Sequence, residues 1–418
     1  MKQRKMKLKK ILPLIPLLLS MPSSANSLEV LHWWTAPGEF EAQKVLKQAL
    51  AKQGISWQDF AIVGSGGGSA MRVLQMRALS GNPPDAAQIK GPDIAEWAKI
   101  GMLKEVDNIL NNKLWDKNIP DVVKQTITYQ GHYMALPLNI HRVNWLWLNK
   151  AIFDQLKLSP PTTWNEFFSV ADKIQAAGYI ALSHGGTSWE DNLLFESVAL
   201  SILGAEKYKR AFVEFDETVL TSSDMIDAFK LFKRLHQYVD KSMVGKDWEI
   251  ASKMLTDKKA GMLFMGDWAK GLWHSSGKVA NKDYLCVDVP ESKNLFSYNI
   301  DSFVFFKKQH QNSDNLNTEI LANTLLSEQL QHDFNIDKGS IPVRTDIDIS
   351  DFDACSHKSF NDFKQSALVP SFSQNIATSS FLQSEMRKVI STYFKSDNLS
   401  AEQVTKQLAL AIRAVNKK

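Results

Sequence analysis

An α/β chain of two lobes is predicted by the order of its patterns. Short strand-like runs alternate with helical ones through roughly the first hundred residues. From Thr162 onward helices dominate, and the stretch between reads as extended chain with no Pro- or Ser-rich linker. The length agrees: 418 residues, 44% hydrophobic and 22% charged, is globular composition with enough chain for two or three domains.

Taken in order, Leu28–Trp34 reads as a strand, Gly38-Glu39 opens a helix running to Gln53, and Gln58–Val63 is a second strand. Gly64–Ser69 is a glycine-rich turn before a helical run, Ala70–Leu79. Pro83-Pro84 breaks the chain, Asp85–Lys90 is a short strand, and Pro92-Asp93 starts a helix reaching Ile100. Such alternation predicts a largely parallel sheet in the first lobe. Tyr129–Asn149 suggests a hairpin and extended segments that cross into the second lobe. There, Thr163-Trp164-Asn165-Glu166 opens a helix ending at Gly178, followed by a strand Tyr179–Ser183. Helical patterns occupy 191–203, 223–238 and 248–255, and Ala260–Met265 is a strand ending in Gly266-Asp267-Trp268. Tyr284–Val289 and Phe296–Phe306 are strand-like. Long helical patterns run over 318–335 and from Ser379 to the C-terminus, with a fresh start capped by Ser400 and Gln403.

The N-terminus carries Lys2, Arg4, Lys5, Lys7, Lys9 and Lys10, then an apolar run, Ile11–Met21, then Pro22-Ser23-Ser24-Ala25. This is the layout of a secretory signal peptide, cleaved near Ala25. Its apolar run is far below the roughly 20 residues that span a bilayer, and no Cys follows it to carry a lipid. The whole chain has a formal charge of +4, yet residues 1–25 hold six basic residues and no acid, so the remainder carries 43 basic against 45 acidic residues, or −2. That balance excludes an electrostatic case for nucleic-acid binding and predicts a soluble exported protein. Two cysteines remain, Cys286 and Cys355, enough for one disulfide in an oxidising compartment but not for a thiolate zinc site.

Enzymatic motifs fail. Gly64–Ser69 lacks the Gly-Lys-Ser/Thr ending of a phosphate loop and the full dinucleotide spacing. There is no Gly-x-Ser-x-Gly elbow, and His184-Gly185-Gly186 has no nucleophile with it. No metal or cofactor motif is present, and His32, His132, His141 and His184 read as packing or hydrogen-bonding residues. Twelve tryptophans stand out instead. Trp145, Trp147 and Trp164 read as core. Trp33, Trp34 and Trp268 fall at strand ends, where a ring can face a cleft and suits the C–H face of a sugar. Lys90 ends a strand, Asp301 sits inside the apolar run Ile300–Phe306, and Lys338 precedes a Gly-Ser turn. A carboxylate in such a run must be paired or functional.

These residues carry a resemblance. Leu31-His32-Trp33-Trp34-Thr35 with Gly38-Glu39 is similar to the opening of glucose/mannose-type periplasmic sugar-binding proteins of ABC transporters. The likeness continues through Gly81–Asp85, Leu136–His141, Leu182–Gly186, Gly261–Gly271, Lys338–Asp346 and Phe352–Cys355. It implies a two-lobed periplasmic-binding-protein fold with hinge strands, closing on one sugar in a cleft between lobes and delivering it to an inner-membrane permease pair. The segments would be 26–140 and 296–345 in the N-terminal lobe, 141–295 and 346–418 in the C-terminal lobe. Carried over, Trp33, Trp34 and Trp268 stack on or wall the sugar, Glu39, Lys90, Asp301 and Lys338 bond its hydroxyls, and Gln88 supplies a nearby amide. Cys286 and Cys355 match a paired-cysteine pattern. Relatives carry His-Gly where this chain reads Gln374-Asn375, so Gln374 takes a sugar-contacting position with altered reach. The resemblance implies a monomer with no cofactor and no catalysis; the same closed state could serve a chemoreceptor or sensor. The enzyme alternative, an exported glycoside-processing protein, would draw its carboxyl groups from Asp267 and Asp301 with Glu39.

Overall fold

A computed structural model describes residues 27–64, 67–107, 114–308 and 315–416. The leader assigned to residues 1–25, and Ser65 and Gly66 of the glycine-rich turn, lie outside the described residues. Two sheets organise the described chain. The larger runs Ile341–Pro342, Leu136–Arg142, Leu295–Phe305, Ala86–Ile89, Ser27–His32, Ser56–Ala61, with Ala367–Pro370 added alongside the start of Leu295–Phe305. The smaller runs Tyr284–Asp288, Trp145–Asn149, Ala260–Phe264, Ile180–Ser183. The chain leaves the first sheet at Arg142 and enters the second at Trp145, and it returns between Asp288 and Leu295.

The strands nearest the N-terminus pair in parallel, Ser27–His32 with Ser56–Ala61 and with Ala86–Ile89. Beyond them the expectation of a largely parallel sheet holds only where Ala367–Pro370 joins Leu295–Phe305. Leu295–Phe305 inserts antiparallel between Ala86–Ile89 and Leu136–Arg142. Its reason is connectivity: a strand that comes back directly from the other lobe has no crossover helix to turn it parallel. A second correction concerns 346–418, assigned wholly to the C-terminal lobe. Ala367–Pro370 belongs to the first sheet, and Phe360 and Phe363 pack into that lobe's core.

Caps explain most helix boundaries. Thr163 Oγ1 accepts from the N–H of Glu166, whose carboxylate accepts back from Thr163 N–H, and the helix Trp164–Ala176 follows. Ser400 and Gln403 make the same reciprocal pair before Ala401–Asn416. The single long helix expected over 318–335 is two, Asn315–Leu325 and Glu328–Lys338, because Ser327 caps the second by accepting from Leu330 N–H. The helix expected to end at Leu203 continues to Phe212 past Gly204, whose φ of 67° breaks the helical path. Ala354–Gln365 was missed altogether, although Asp353 announces it by accepting from Ser356 N–H.

The larger core lies in the second lobe. Trp145 and Trp147 are fully buried and Trp164 nearly so, as expected; the Trp147 ring meets Trp273 edge-on at 5.0 Å. Cys286, on the edge strand of the smaller sheet, is disulfide-bonded to Cys355 in Ala354–Gln365. No helix among the described residues is long and apolar enough to cross a membrane.

Candidate functional site

A cavity of about 90 Å³ lies between the lobes. Strand and helix ends build it. Trp33 and Trp34 leave Ser27–His32, Glu39 sits in the first turn of Pro37–Ala51, and Lys90 follows Ala86–Ile89. Asn299 and Asp301 project from Leu295–Phe305, and Lys338 closes Glu328–Lys338. From the other side come Trp189, Trp248 and Trp268, each in the first turn of a helix. Gly266 lets the Trp268 ring lie against the backbone, since a Cβ there would stand 2.2 Å from it.

Eight of the nine expected site residues line this cavity: Trp33, Trp34, Glu39, Lys90, Trp268, Asp301, Lys338 and Gln374. Gln88 does not. It is fully buried on the strand before Lys90, and its Oε1 accepts from Trp33 N–H at 3.4 Å. Its amide is engaged with the Trp33 backbone and not with the cavity. Trp34 lines the cavity but is 2% exposed, with its ring packed on Phe303 and Phe334 at 5.5 and 5.4 Å. Trp33 is only half-buried, with Lys90 Nζ 5.2 Å from its ring centre.

Nine further residues line the wall, among them His141, Trp189, Trp248 and Asn299. His141 is the most consequential. Its Nδ1 bonds Asp267, and its Nε2 lies 3.3 Å from Asp301 Oδ2. One imidazole therefore ties the end of Leu136–Arg142 to a carboxylate from each lobe. Burial favours the neutral ring, but the charge of Asp267 and the bonds to Asp267 and Asp301 outweigh it, so its pKa is raised. In its charged form both ring nitrogens donate. For Asp301 burial also favours the neutral form and so pushes the pKa upward, yet the bond and charge of His141, with the charges of Lys338 and Lys90, hold it well below the usual carboxylate range. Asp267 also accepts from Arg142 N–H at 2.9 Å. The local signal for Trp189 and Trp248 was the one used for Trp268, a ring beside a helix start after Thr187 and Asp247.

Lys338 Nζ donates to Glu39 Oε1 at 3.0 Å, while Glu39 Oε2 accepts from the N–H of Thr35 and Ala36. Lys90 is different. It is 4% exposed and is pulled down to about 8, by burial first, against the nearby charge of Asp301. Four polar atoms of wall residues are buried without a hydrogen-bond partner: Trp34 Nε1, Trp189 Nε1, Gln374 Nε2 and Asn299 Oδ1. Buried polar atoms are rarely left so, and a set of donors and an acceptor facing one space suits a ligand rich in hydroxyls. Asn375 takes φ 61°, a left-handed conformation open to Gly and tolerated by Asn.

The sequence of residues 40–297 matches the family model described as bacterial extracellular solute-binding protein. A "Probable sugar-binding periplasmic protein" of Rhizobium meliloti (strain 1021) is 38% identical over 396 residues, 94% of this chain and 94% of its own. Among solved structures, the bacterial solute receptor AcbH, described as preferring β-D-galactopyranose, superposes with a TM-score of 0.79 at 16% identity, covering 93% of this chain and 99% of AcbH. Maltose-bound MalE3 of T. maritima gives a TM-score of 0.78 at 15% identity, covering 94% of this chain and all of MalE3 (100%). The two-lobed fold is thus that of solute receptors, and the chain belongs to the bacterial extracellular solute-binding protein family.

Proposed function

We propose that the protein is a periplasmic sugar receptor of an ABC importer, that its ligand is a single monosaccharide of glucose-like shape, and that it acts as a monomer without catalysis. The lining of the cavity carries this reading: a small space of about 90 Å³ walled by indole rings and buried polar groups suits one pyranose with its hydroxyls. Trp33 and Trp268 supply faces for its C–H surfaces; Lys90, Asp301, Asn299, Gln374 and Trp189 supply donors and acceptors for its rim. The name carried by the Rhizobium meliloti relative supports the sugar and the compartment. Asp267 and Asp301, the pair an enzyme reading would need, are bridged by His141, which favours binding over bond cleavage. In this reading the leader at residues 1–25 is removed and the lobes hinge where the chain changes sheets, at 142–145, at 288–295 and beyond Pro370. The loaded, closed form then docks on a permease pair.

Calorimetric titration of refolded mature protein with glucose, mannose, galactose, xylose, maltose and cellobiose tests the proposal. Micromolar binding, about −8 kcal/mol, by one monosaccharide and none by the disaccharides is expected. Binding of disaccharides alone would overturn the monosaccharide assignment.

Two further outcomes follow from the same geometry. Trp33→Ala is expected to weaken that sugar by about tenfold, since an aromatic face contributes ~0.5–1.5 kcal/mol beyond buried area. The titration should also depend on pH through Lys90. As pH rises through about 8 the ammonium is lost and sugar affinity falls. Stability moves the other way: between about 8 and the ordinary lysine value near 10.4 the unfolded chain binds the extra proton, so the folded state gains. Affinity that stays flat from pH 7 to 10 would remove Lys90 from the ligand contacts.

A further inference from the structure

Gln374 reaches the cavity from a turn, Ser371–Ile376, that belongs to neither sheet. A turn is a loose mount for a ligand contact, and here it is held by one buried carboxylate. Glu196 lies in Ser188–Phe212 of the second lobe and is fully buried. Its Oε2 accepts from Ser373 N–H at 2.8 Å and from the Ser371 hydroxyl at 2.8 Å. Its Oε1 accepts from the Tyr208 hydroxyl at 3.0 Å and from the Ser297 hydroxyl, which lies on the long strand that also carries Asn299 and Asp301.

The relay continues into the turn. Phe372 N–H donates to the Tyr208 oxygen at 3.1 Å, and Gln374 N–H donates to the Ser371 oxygen at 3.1 Å. Three consecutive backbone N–H groups, at 372, 373 and 374, are therefore fixed by Glu196 directly or through one hydroxyl. On its other side the turn rests on the residue after Lys90. A Cβ at Gly91 would stand 2.2 Å from the carbonyl oxygen of Asn375, so the two backbones touch. The turn is clamped between Glu196 and the strand end that presents Lys90.

We infer that Glu196 is a positioning residue for Gln374: it touches no ligand, but it sets where the Gln374 side chain stands in the cavity and thereby which sugar is preferred. The inference rests on the sugar-receptor reading for its ligand and on the hydrogen-bond geometry alone for the positioning. A carboxylate is the group this place requires, because it accepts from four donors and offers none. An amide of the same shape would turn an NH2 toward two of those donors and release part of the turn.

The test uses the mature chain and four variants, Glu196→Gln, Ser371→Ala, Gln374→Ala and the double variant Glu196→Gln/Gln374→Ala. Two readouts are taken: calorimetry with D-glucose and D-mannose, and backbone hydrogen exchange of 371–376 against the strand Ala260–Phe264. Glu196→Gln and Ser371→Ala are each expected to weaken glucose about tenfold and to change the glucose-to-mannose ratio. Exchange should rise across 371–376 and stay unchanged in Ala260–Phe264. Glu196→Gln added to Gln374→Ala should cost less than twofold more, because the residue it positions is already gone. Ser371→Ala keeps the question open to experiment should Glu196→Gln not fold. Unchanged exchange in the turn, or losses that simply multiply in the double variant, would overturn the inference. If the wild type binds neither sugar, it is the ligand reading that falls, and the exchange comparison still decides the positioning.

Discussion

Asp301→Asn is expected to weaken sugar binding by about 100-fold and to lower the stability of the free protein. The carboxylate is 3% exposed, 3.3 Å from His141 Nε2, and it balances the charges of Lys338 and Lys90. A hydrogen bond from a sugar hydroxyl to an ionised group is worth ~1.5–3 kcal/mol, and each 1.4 kcal/mol is tenfold in affinity. Removing one partner of a buried ion pair costs ~3–5 kcal/mol, because the other charge stays behind. The pH dependence separates this from a generic packing defect. Asp301 has a depressed pKa, so its contribution to stability is complete above the unfolded carboxylate value near 3.9 and is lost as pH falls below it. Wild type and variant should thus differ most at neutral pH and converge in acid. Calorimetry at pH 7 and denaturant melts from pH 7 down to pH 2 would check both halves; equal glucose affinity in the two proteins would take Asp301 out of the ligand contacts.

Reducing the disulfide, or replacing its cysteines by serine, is expected to cost about 4 kcal/mol of stability with little change in sugar affinity. Cys286 and Cys355 are separated by 69 residues, and a loop of that length carries roughly that closure entropy in the unfolded chain. The bond joins the edge strand of the second lobe's sheet to Ala354–Gln365 and lies outside the cavity wall. Beside it, Lys358 pairs with Asp288 and Asp362, and Arg142 with the same two carboxylates, so the crossing between lobes has polar ties that survive reduction. Denaturant midpoints with and without reductant, alongside glucose titrations, would read the two effects separately. A loss of affinity as large as the loss of stability would mean that the disulfide shapes the cavity as well as the fold.

Much of the site was legible because its residues stand at the ends of local patterns. Trp33 follows a strand, Lys90 ends one, Trp268 follows Phe264 across a Gly-Asp step, and Asp301 is out of place in an apolar run. A polar or aromatic residue at such an exit faces the space between elements in any α/β arrangement. Helix starts at Thr163 and Ser400 were readable for a similar reason, since a cap is completed within four residues.

The sequence by itself determined the alternation of strands and helices, the pair of cysteines and eight of the residues around the cavity. Tertiary structure alone decided which of them meet. His141 looks like an ordinary strand histidine until Asp267, 126 positions away, closes on it. Glu196 is one more acid on a helix until Ser373, 177 positions on, lies against it. Gln88 and Lys90 sit two residues apart on one stretch of chain, yet only Lys90 reaches the cavity wall, while the Gln88 amide accepts from the Trp33 N–H. The physical reason is range. Propensity, capping and periodicity act over a few residues and can be read along the chain. Desolvation, pairing of buried charges and closure of a cavity act across space, and they exist only once distant segments have been brought together.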